Sequence, residues 1–195
     1  VVLFAADHHI ADHGLSLTST DVTYIQTRNF LQGGGTINAF TRNAGARLSV
    51  VDVGVNYDFG DLPGLVKRKV MHGANDFSKE PAMTREQALE CLQVGIDMAR
   101  EEKNTGLDIV AAGEMGIGNT TPSSAIVAVL TGTPVETVTG RGSGVRGEVI
   151  RKKIKLIEQG ITLNKPDPSD AIDVLAKVGG PEIGAMAGLM LGAAS

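Results

Sequence analysis

The chain contains 195 residues, a length that suits one domain with a sizeable buried core. Its formal net charge of −4 argues against a protein whose main task is to bind nucleic acid. The single cysteine excludes an intramolecular disulfide framework and fits a cytoplasmic protein, and no apolar run approaches the roughly 20 residues that cross a membrane.

Short, continuous apolar runs predict buried parallel strands at residues 1–6, 47–55 and 107–112, with residues 137–139 as a shorter fourth candidate. Helical patterns lie between and after them, at residues 20–31, 36–44, 84–103, 122–130, 147–159, 170–178 and 182–194. The clearest helix begins at Thr84, which is expected to form a capping box with Gln87. This alternation predicts an α/β fold, a Rossmann-like parallel sheet covered by helices on both faces. Because the chain opens in a strand-like run, we expect a sheet that is incomplete at both ends and an internal piece of a longer protein.

Residues 113–121 (GEMGIGNTT) carry the clearest functional signal, because they separate a strand-like run from a helix-like one. A glycine-rich turn into a helix leaves backbone N–H groups free at the positive end of the helix dipole, which suits a phosphate. Glu114 would stand at the carboxyl end of the strand, where open α/β sheets bind their ligands. From the residues alone, Glu114 could be a base, an acceptor for ribose hydroxyls or a carboxylate that only holds its loop.

A second glycine-rich turn, residues 139–144 (TGRGSG), also precedes a predicted helix. Lys153 and Lys155 follow on that helix and could supply positive charge to a phosphate. The alternative is a solvated basic face that includes Arg151, and the charge pattern alone favours this second interpretation.

Polar residues follow the first predicted strand. His9 and His13, four residues apart, would share a helix face and could bind a metal with His8 nearby, as in a metal-dependent hydrolase. A polar loop is the favoured alternative, since the spacing specifies no third ligand. Asp7 would face the ligand crevice at the end of the strand. The long irregular span at residues 56–81 is a further candidate for a binding loop.

Ordered blocks along essentially the whole chain resemble one enzyme family. The blocks are residues 5–8, 14–16, 29–34, 37–38, 51–55, 81–84, 113–121, 140–144, 170–180 and 191–194. In this order they resemble the nicotinate-nucleotide:dimethylbenzimidazole phosphoribosyltransferases. The resemblance implies that residues 1–195 are a single nucleotide-binding core, an internal portion of a longer phosphoribosyltransferase.

The resemblance implies transfer of the 5-phosphoribosyl group from nicotinate mononucleotide to 5,6-dimethylbenzimidazole or a similar base, giving α-ribazole 5′-phosphate and nicotinate in cobalamin biosynthesis. It assigns the phosphate and ribose of the donor to Glu114, Gly116, Gly118, Asn119, Thr120, Thr121, Gly142, Ser143, Gly144 and Lys153. It assigns the acceptor base to a pocket with Asp7, Ser16 and Gln26. It implies no metal, no cofactor and no nucleic-acid or membrane partner, and it implies a homodimer.

The chain also departs from that family's pattern. The family's general base is a glutamate in a Gly-Glu-Gly turn, which this sequence lacks, so Glu114 is expected to be at most an assisting carboxylate. We therefore expect residues 1–195 alone to turn over weakly or not at all. The acceptor stays open between dimethylbenzimidazole, other benzimidazoles, adenine and phenols. A non-catalytic nucleotide-binding subunit is the alternative function.

Overall fold

A computed structural model describes residues 1–195 and has a four-stranded sheet, in which all strands are parallel, at its centre. The strands are β1 (Val2–Ala6), β2 (Ser49–Gly54), β3 (Leu65–Lys67) and β4 (Ala112–Met115), in the order β3-β2-β1-β4. Val2 is paired with Ser49 on one side and with Ala112 on the other, so β1 occupies the middle of the sheet. The predicted parallel sheet is therefore confirmed.

Eight α-helices accompany the sheet, and a 3-10 helix (His9–His13) follows β1. The α-helices are α1 (Asp21–Leu31), α2 (Thr36–Asn43), α3 (Arg85–Asn104), α4 (Thr120–Thr131), α5 (Val135–Val138), α6 (Glu148–Asn164), α7 (Ala171–Val178) and α8 (Pro181–Ala194). The capping box of α3 is confirmed, because Thr84 Oγ1 accepts from the Gln87 N–H at 3.2 Å and Gln87 Oε1 accepts from the Thr84 N–H at 2.9 Å. None of the helices combines the length and the apolar character that crossing a bilayer requires.

Helices cover both faces of the sheet, as predicted. On one face, Leu3 and Ala5 of β1 pack with apolar side chains of α1 and α2. On the other face, Val2, Phe4 and Ala6 pack with α3, α7 and α8. This alternation along β1 follows from the two-residue period of a strand, and it buries both faces of the central strand.

Two strand predictions are wrong. The strand expected at residues 107–112 begins at Ala112 and continues to Met115, so Glu114 lies in the strand rather than in a turn after it. Ile109 is 88% exposed, which shows that the apolar run before Ala112 is not a buried strand. The strand expected at residues 137–139 is instead the end of α5, which follows Pro134, a residue whose fixed φ favours the start of a helix. Strand β3 lies within the span expected to be irregular and has only three residues.

Glycines bring α3 and α8 into direct backbone contact. A Cβ placed on Gly95 would lie 1.9 Å from Ala185 O, and one placed on Gly188 would lie 1.9 Å from Leu92 O. Real side chains do not approach a backbone oxygen so closely, so the glycine content of α8 is a packing requirement. The first turn of α8 lies close to the carboxyl ends of the strands, since a Cβ on Gly54 would be 2.9 Å from the Pro181 ring.

Candidate functional site

The carboxyl ends of the three longer strands lie together and carry most of the residues that sequence analysis selected. Asp7 follows β1, Asn56 lies two residues beyond β2, and Gly116 follows β4. Asp7 Oδ2 accepts from the Asn56 N–H at 2.8 Å, which ties the first two segments together. The Thr23 hydroxyl of α1 accepts from the Ile117 N–H at 3.0 Å and so ties α1 to the loop after β4.

A cavity of about 200 Å³ forms where β4 runs into α4. Many of the predicted donor-site residues line it: Glu114, Gly116, Gly118, Asn119, Thr120 and Ser143. Ser16, predicted for the acceptor pocket, lines the same cavity, and its hydroxyl lies 3.2 Å from Ser143 Oγ. The two glycine-rich segments, which α4 and α5 separate in the sequence, therefore meet at one site.

The turn into α4 presents unpaired backbone donors to this cavity. Within residues 116–121, the N–H groups of Ile117, Asn119 and Thr121 donate to acceptors inside the protein. Those of Gly118 and Thr120 make no such bond. Gly118 has a φ of 92°, and a Cβ there would lie 2.7 Å from the Ala11 Cβ, so only glycine fits this turn. These free donors at the start of a helix are suited to an anion.

Lys153, a residue of α6, contacts the same turn. It is 1% exposed, and its Nζ donates to Thr120 Oγ1 at 2.7 Å and to Gly140 O at 3.4 Å. No carboxylate contacts this ammonium group, and burial lowers the pKa of Lys153 to about 8. Lys155 is exposed, so it fits the solvated basic face, whereas Lys153 does not. A buried cation without a counter-ion is suited to an anionic ligand.

The second glycine-rich turn closes over this ammonium group. Gly142 and Gly144 have φ of 51° and 101°, and a Cβ on Gly142 would lie 2.7 Å from Thr120 Oγ1. Ser143 Oγ accepts from the Leu17 N–H at 3.3 Å. Thr121, by contrast, is buried inside α4, and its hydroxyl has no hydrogen-bond partner and does not line the cavity.

Glu114 reaches this cavity from β4. Its carboxylate accepts a hydrogen bond from the Asn119 side-chain amide. Reduced hydration raises the pKa of Glu114 and the nearby Glu182 charge raises it further, while Asn119 and His8 act in the opposite direction. Glu114 is therefore placed to face a ligand that is bound by the turn.

A second cavity, of about 400 Å³, is lined by Asp7 and His8 together with residues of α1. Asp7 Oδ1 is buried without a hydrogen-bond partner, and burial raises the pKa of this carboxyl. Tyr24 and Tyr57 form an aromatic wall, with ring centroids 3.9 Å apart. Gln26 lines neither cavity, and its Oε1 accepts from Asn29 Nδ2 at 3.0 Å. The three residues predicted for the acceptor pocket thus do not share one cavity.

The histidines after β1 have separate partners. His9 Nδ1 lies 3.4 Å from Asp12 Oδ2, and His13 Nε2 lies 2.8 Å from Asp76 Oδ2. No group of three or more His, Cys, Asp or Glu side chains is placed to hold a metal ion. The geometry therefore does not support the hydrolase alternative.

Sequence analysis missed Glu182 in the first turn of α8. This carboxylate is 0% exposed, and its Oε1 lies 2.8 Å from Nε2 of His8. One signal was available, because Glu182 is the only charged residue in an otherwise apolar helix. Such a residue is rarely buried unless it is paired.

The chain is an α/β protein in which two glycine-rich turns meet around a buried lysine near the carboxyl edge of a parallel sheet, an arrangement that suits an anion. The family model DBI_PRT, described as phosphoribosyltransferase, matches residues 1–195. The chain therefore belongs to this phosphoribosyltransferase family.

Relatives and solved structures agree with this assignment. The chain is 53% identical over 195 residues to a protein of Geobacter sulfurreducens and 51% identical to one of Roseiflexus sp. (strain RS-1), both named nicotinate-nucleotide–dimethylbenzimidazole phosphoribosyltransferase. Each match covers 100% of this chain but 55% of the relative, so the chain spans about half the length of these proteins. The match to the crystal structure of CobT from Thermus thermophilus covers 98% of this chain and 57% of the CobT chain, with a TM-score of 0.93 and 42% sequence identity.

Proposed function

We propose that this protein transfers the 5-phosphoribosyl group of nicotinate mononucleotide to an aromatic nitrogen base, with 5,6-dimethylbenzimidazole as the first candidate. The bond from C1′ to the pyridinium nitrogen breaks, a bond from C1′ to the acceptor nitrogen forms, and the acceptor ring loses a proton. The products are nicotinate and α-ribazole 5′-phosphate, an intermediate for the lower ligand of cobalamin. The observation that carries the proposal is the buried ammonium group of Lys153 against Thr120 at the start of α4. Relatives of the chain are named nicotinate-nucleotide–dimethylbenzimidazole phosphoribosyltransferase, which supports the same reaction.

The 5′-phosphate of the donor is proposed to bind between the two glycine-rich turns. Lys153 supplies the positive charge, and the N–H groups of Gly118 and Thr120 supply donors at the start of α4. Ser143, which lines the same cavity, adds a hydroxyl from the second turn. This arrangement provides a monophosphate with one positive charge and several hydrogen-bond donors from the protein.

Glu114 is proposed to face the ribose. When the pyridinium leaves as a neutral base, positive charge develops on the ribose ring, and an ionised carboxylate beside the ring stabilises that charge. The leaving group already carries the positive charge, so its departure needs little acid assistance. The general base that accepts the proton of the incoming ring is not assigned to any residue of this chain.

The acceptor base is proposed to enter the larger cavity next to Asp7, while Ser16, which lines the donor cavity, remains a candidate from the resemblance only. Two tyrosine rings beside a partly desolvated carboxyl group suit a flat aromatic ring with a polar edge. Dimethylbenzimidazole, other benzimidazoles, adenine and phenols all share these features. Gln26 remains a candidate from the resemblance only.

We also propose that residues 1–195 act as one nucleotide-binding core within a longer cytoplasmic enzyme that forms a homodimer. Cys91 is a free, fully buried thiol, which suits a reducing compartment. Several large apolar side chains are exposed, among them Phe40, Ile109 and Leu191, which suits contact with further protein. Size measurement by light scattering tests the homodimer.

Product analysis tests the reaction. The protein expressed from its complete coding sequence is incubated with nicotinate mononucleotide and each candidate acceptor, and products are identified by mass spectrometry. A ribosylated base with release of nicotinate is expected. Donor binding without any product would contradict transferase activity and favour a nucleotide-binding subunit. Absence of donor binding would contradict both functions.

A further inference from the structure

A buried ion pair lies beside the proposed donor site without being part of it. His8 and Glu182 are 2% and 0% exposed, and 2.8 Å separates His8 Nε2 from Glu182 Oε1. His8 lies just beyond β1, and Glu182 lies in the first turn of α8, 174 residues further along the chain. Neither side chain lines the cavity that holds Glu114, whereas His8 lines the larger cavity that holds Asp7.

The imidazole is packed against two glycine backbones. A Cβ on Gly116 would lie 3.4 Å from both Cδ2 and Nε2 of His8, and 2.4 Å from Ala6 O. A Cβ on Gly180 would lie 2.3 Å from His8 Cε1. His8 therefore fills the space between the residue that follows β4 and the residue that precedes α8. Since Gly116 lines the donor cavity, the ring supports the wall of that cavity directly.

The charges around the pair connect it to Glu114. Burial alone would lower the pKa of His8, but the Glu182 carboxylate, with smaller contributions from Asp7 and Glu114, raises it above its ordinary value. Glu182 raises the pKa of Glu114, whereas the His8 charge lowers it. Cys91 on α3 also lies near Glu182, but burial raises the pKa of that thiol to about 12, so it carries no charge. One imidazolium thus offsets the repulsion between two carboxylates.

We propose that His8 and Glu182 are positioning residues for the phosphoribosyl donor site, a charged pair that supports Gly116 and keeps Glu114 ionised towards the ribose. This inference rests on the proposed function. Glu182 Oε2 is buried without a hydrogen-bond partner, so the carboxylate depends on His8 for its compensation. Loss of His8 alone would leave the Glu182 carboxylate uncompensated near Glu114. It would therefore favour protonation of either Glu182 or Glu114.

A set of three variants of the complete protein tests the pair: His8→Gln, Glu182→Gln and the double variant. Binding of nicotinate mononucleotide is measured by calorimetry, together with kcat, KM and the pH dependence of turnover. We expect His8→Gln to weaken donor binding by about tenfold or more and to move the acid limb of the pH profile upwards. The double variant, with two neutral amides, is expected to recover part of both losses. His13→Gln removes an imidazole with a carboxylate partner at the same distance of 2.8 Å, and it is expected to change donor binding less than about twofold.

The charge of His8 gives a readout that does not require turnover. The ¹⁵N shifts of the ring are expected to show an imidazolium at pH 7 in the wild-type protein and a neutral ring in Glu182→Gln. A neutral His8 ring in the wild-type protein overturns the proposal. This measurement does not depend on the variants, so it decides the question even if they fail to fold. A double variant no better than His8→Gln, in donor binding and in pH profile, overturns it as well. Wild-type protein that does not bind the donor refutes the proposed function itself and removes the site on which this inference rests.

Discussion

The ammonium group of Lys153 lies 2.7 Å from the hydroxyl of Thr120, the first residue of α4. This contact joins α6 to the turn that follows β4, and it places a positive charge beneath free backbone donors. The lysine has no carboxylate partner, so its burial costs stability in the absence of a ligand. A site that is destabilised when empty gains most from an anion that compensates the charge.

Lys153→Met is expected to weaken the binding of nicotinate mononucleotide by roughly 10- to 100-fold, because a hydrogen bond to a charged group contributes about 1.5–3 kcal/mol. The melting temperature of the variant without ligand is expected to equal or exceed that of the wild type, because an unpaired buried charge is removed. Calorimetry and thermal unfolding measure both effects. Lys155→Met, on the exposed side of the same helix, is the matched control and should bind the donor like the wild type. Equal losses in the two variants would refute the assignment of Lys153.

Donor affinity is expected to fall as the pH rises above about 8, because the pKa of Lys153 is lowered to about 8 and the neutral amine binds phosphate poorly. The stability of the unliganded protein should follow the opposite course. The pKa of Lys153 is lower in the folded protein than in the unfolded chain. Burial of its charge therefore lowers the free energy of unfolding below pH 8, and this loss of stability disappears as the pH rises above that value. Titration calorimetry and urea unfolding between pH 6.5 and 9.5 check the two trends. Lys153→Met should lose both trends, and a fall in affinity above pH 8 as steep in that variant as in the wild type would contradict this explanation.

Gly142→Ala is expected to weaken donor binding by about tenfold, because its Cβ would lie 2.7 Å from Thr120 Oγ1 and disturb the contact with Lys153. Gly147→Ala is the matched control. Gly147 also has a positive φ, 57° against 51° for Gly142, but a Cβ there meets nothing within 4 Å. Both substitutions should cost about 1–3 kcal/mol of stability, because a side chain is strained at a positive φ. Only Gly142→Ala should alter the dissociation constant, and a similar change in both variants would mean that the loop backbone, not the contact, is responsible.

Gly188→Ala is expected to lower the free energy of unfolding by about 3 kcal/mol, because the new methyl group would lie 1.9 Å from Leu92 O and force α3 and α8 apart. Urea unfolding should show a lower midpoint with an unchanged slope. Met190→Ala, at a residue of the same helix that is 59% exposed, should change stability by less than about 0.5 kcal/mol. A midpoint for Gly188→Ala equal to that of the control would show that the two helices can separate at little cost.

Local patterns predicted the features of this molecule that depend on neighbouring residues. The capping box at Thr84 and the buried strand before Asp7 can each be recognised within a few residues. The strand at residues 107–112 was misplaced because its true bounds are set by pairing with β1, not by apolar character. The one-turn helix after Pro134 and the three-residue β3 are too short to produce a periodic signal.

The candidate site was predictable to the extent that it consists of contiguous turns. Glu114 and Asn119, five residues apart, appear in one motif and do form a hydrogen bond. The burial of Lys153 and its contact with Thr120 depend on how α6 packs, which no charge pattern reveals. The partnership of His8 with Glu182 spans 174 residues, so only the fold brings the two side chains together.

The close packing of α8 on α3 determines more than the stability of that face. Gly184, Gly188 and Gly192 recur every four residues along α8, and each faces α3 within a few ångströms. Rotating α8 about its axis would turn a side chain into the backbone of α3. The glycines therefore determine which face of α8 meets α3, and with it the direction in which the helix presents its only carboxylate. The placement of the Glu182 charge beside His8 thus depends on glycines that lie up to ten residues away from it.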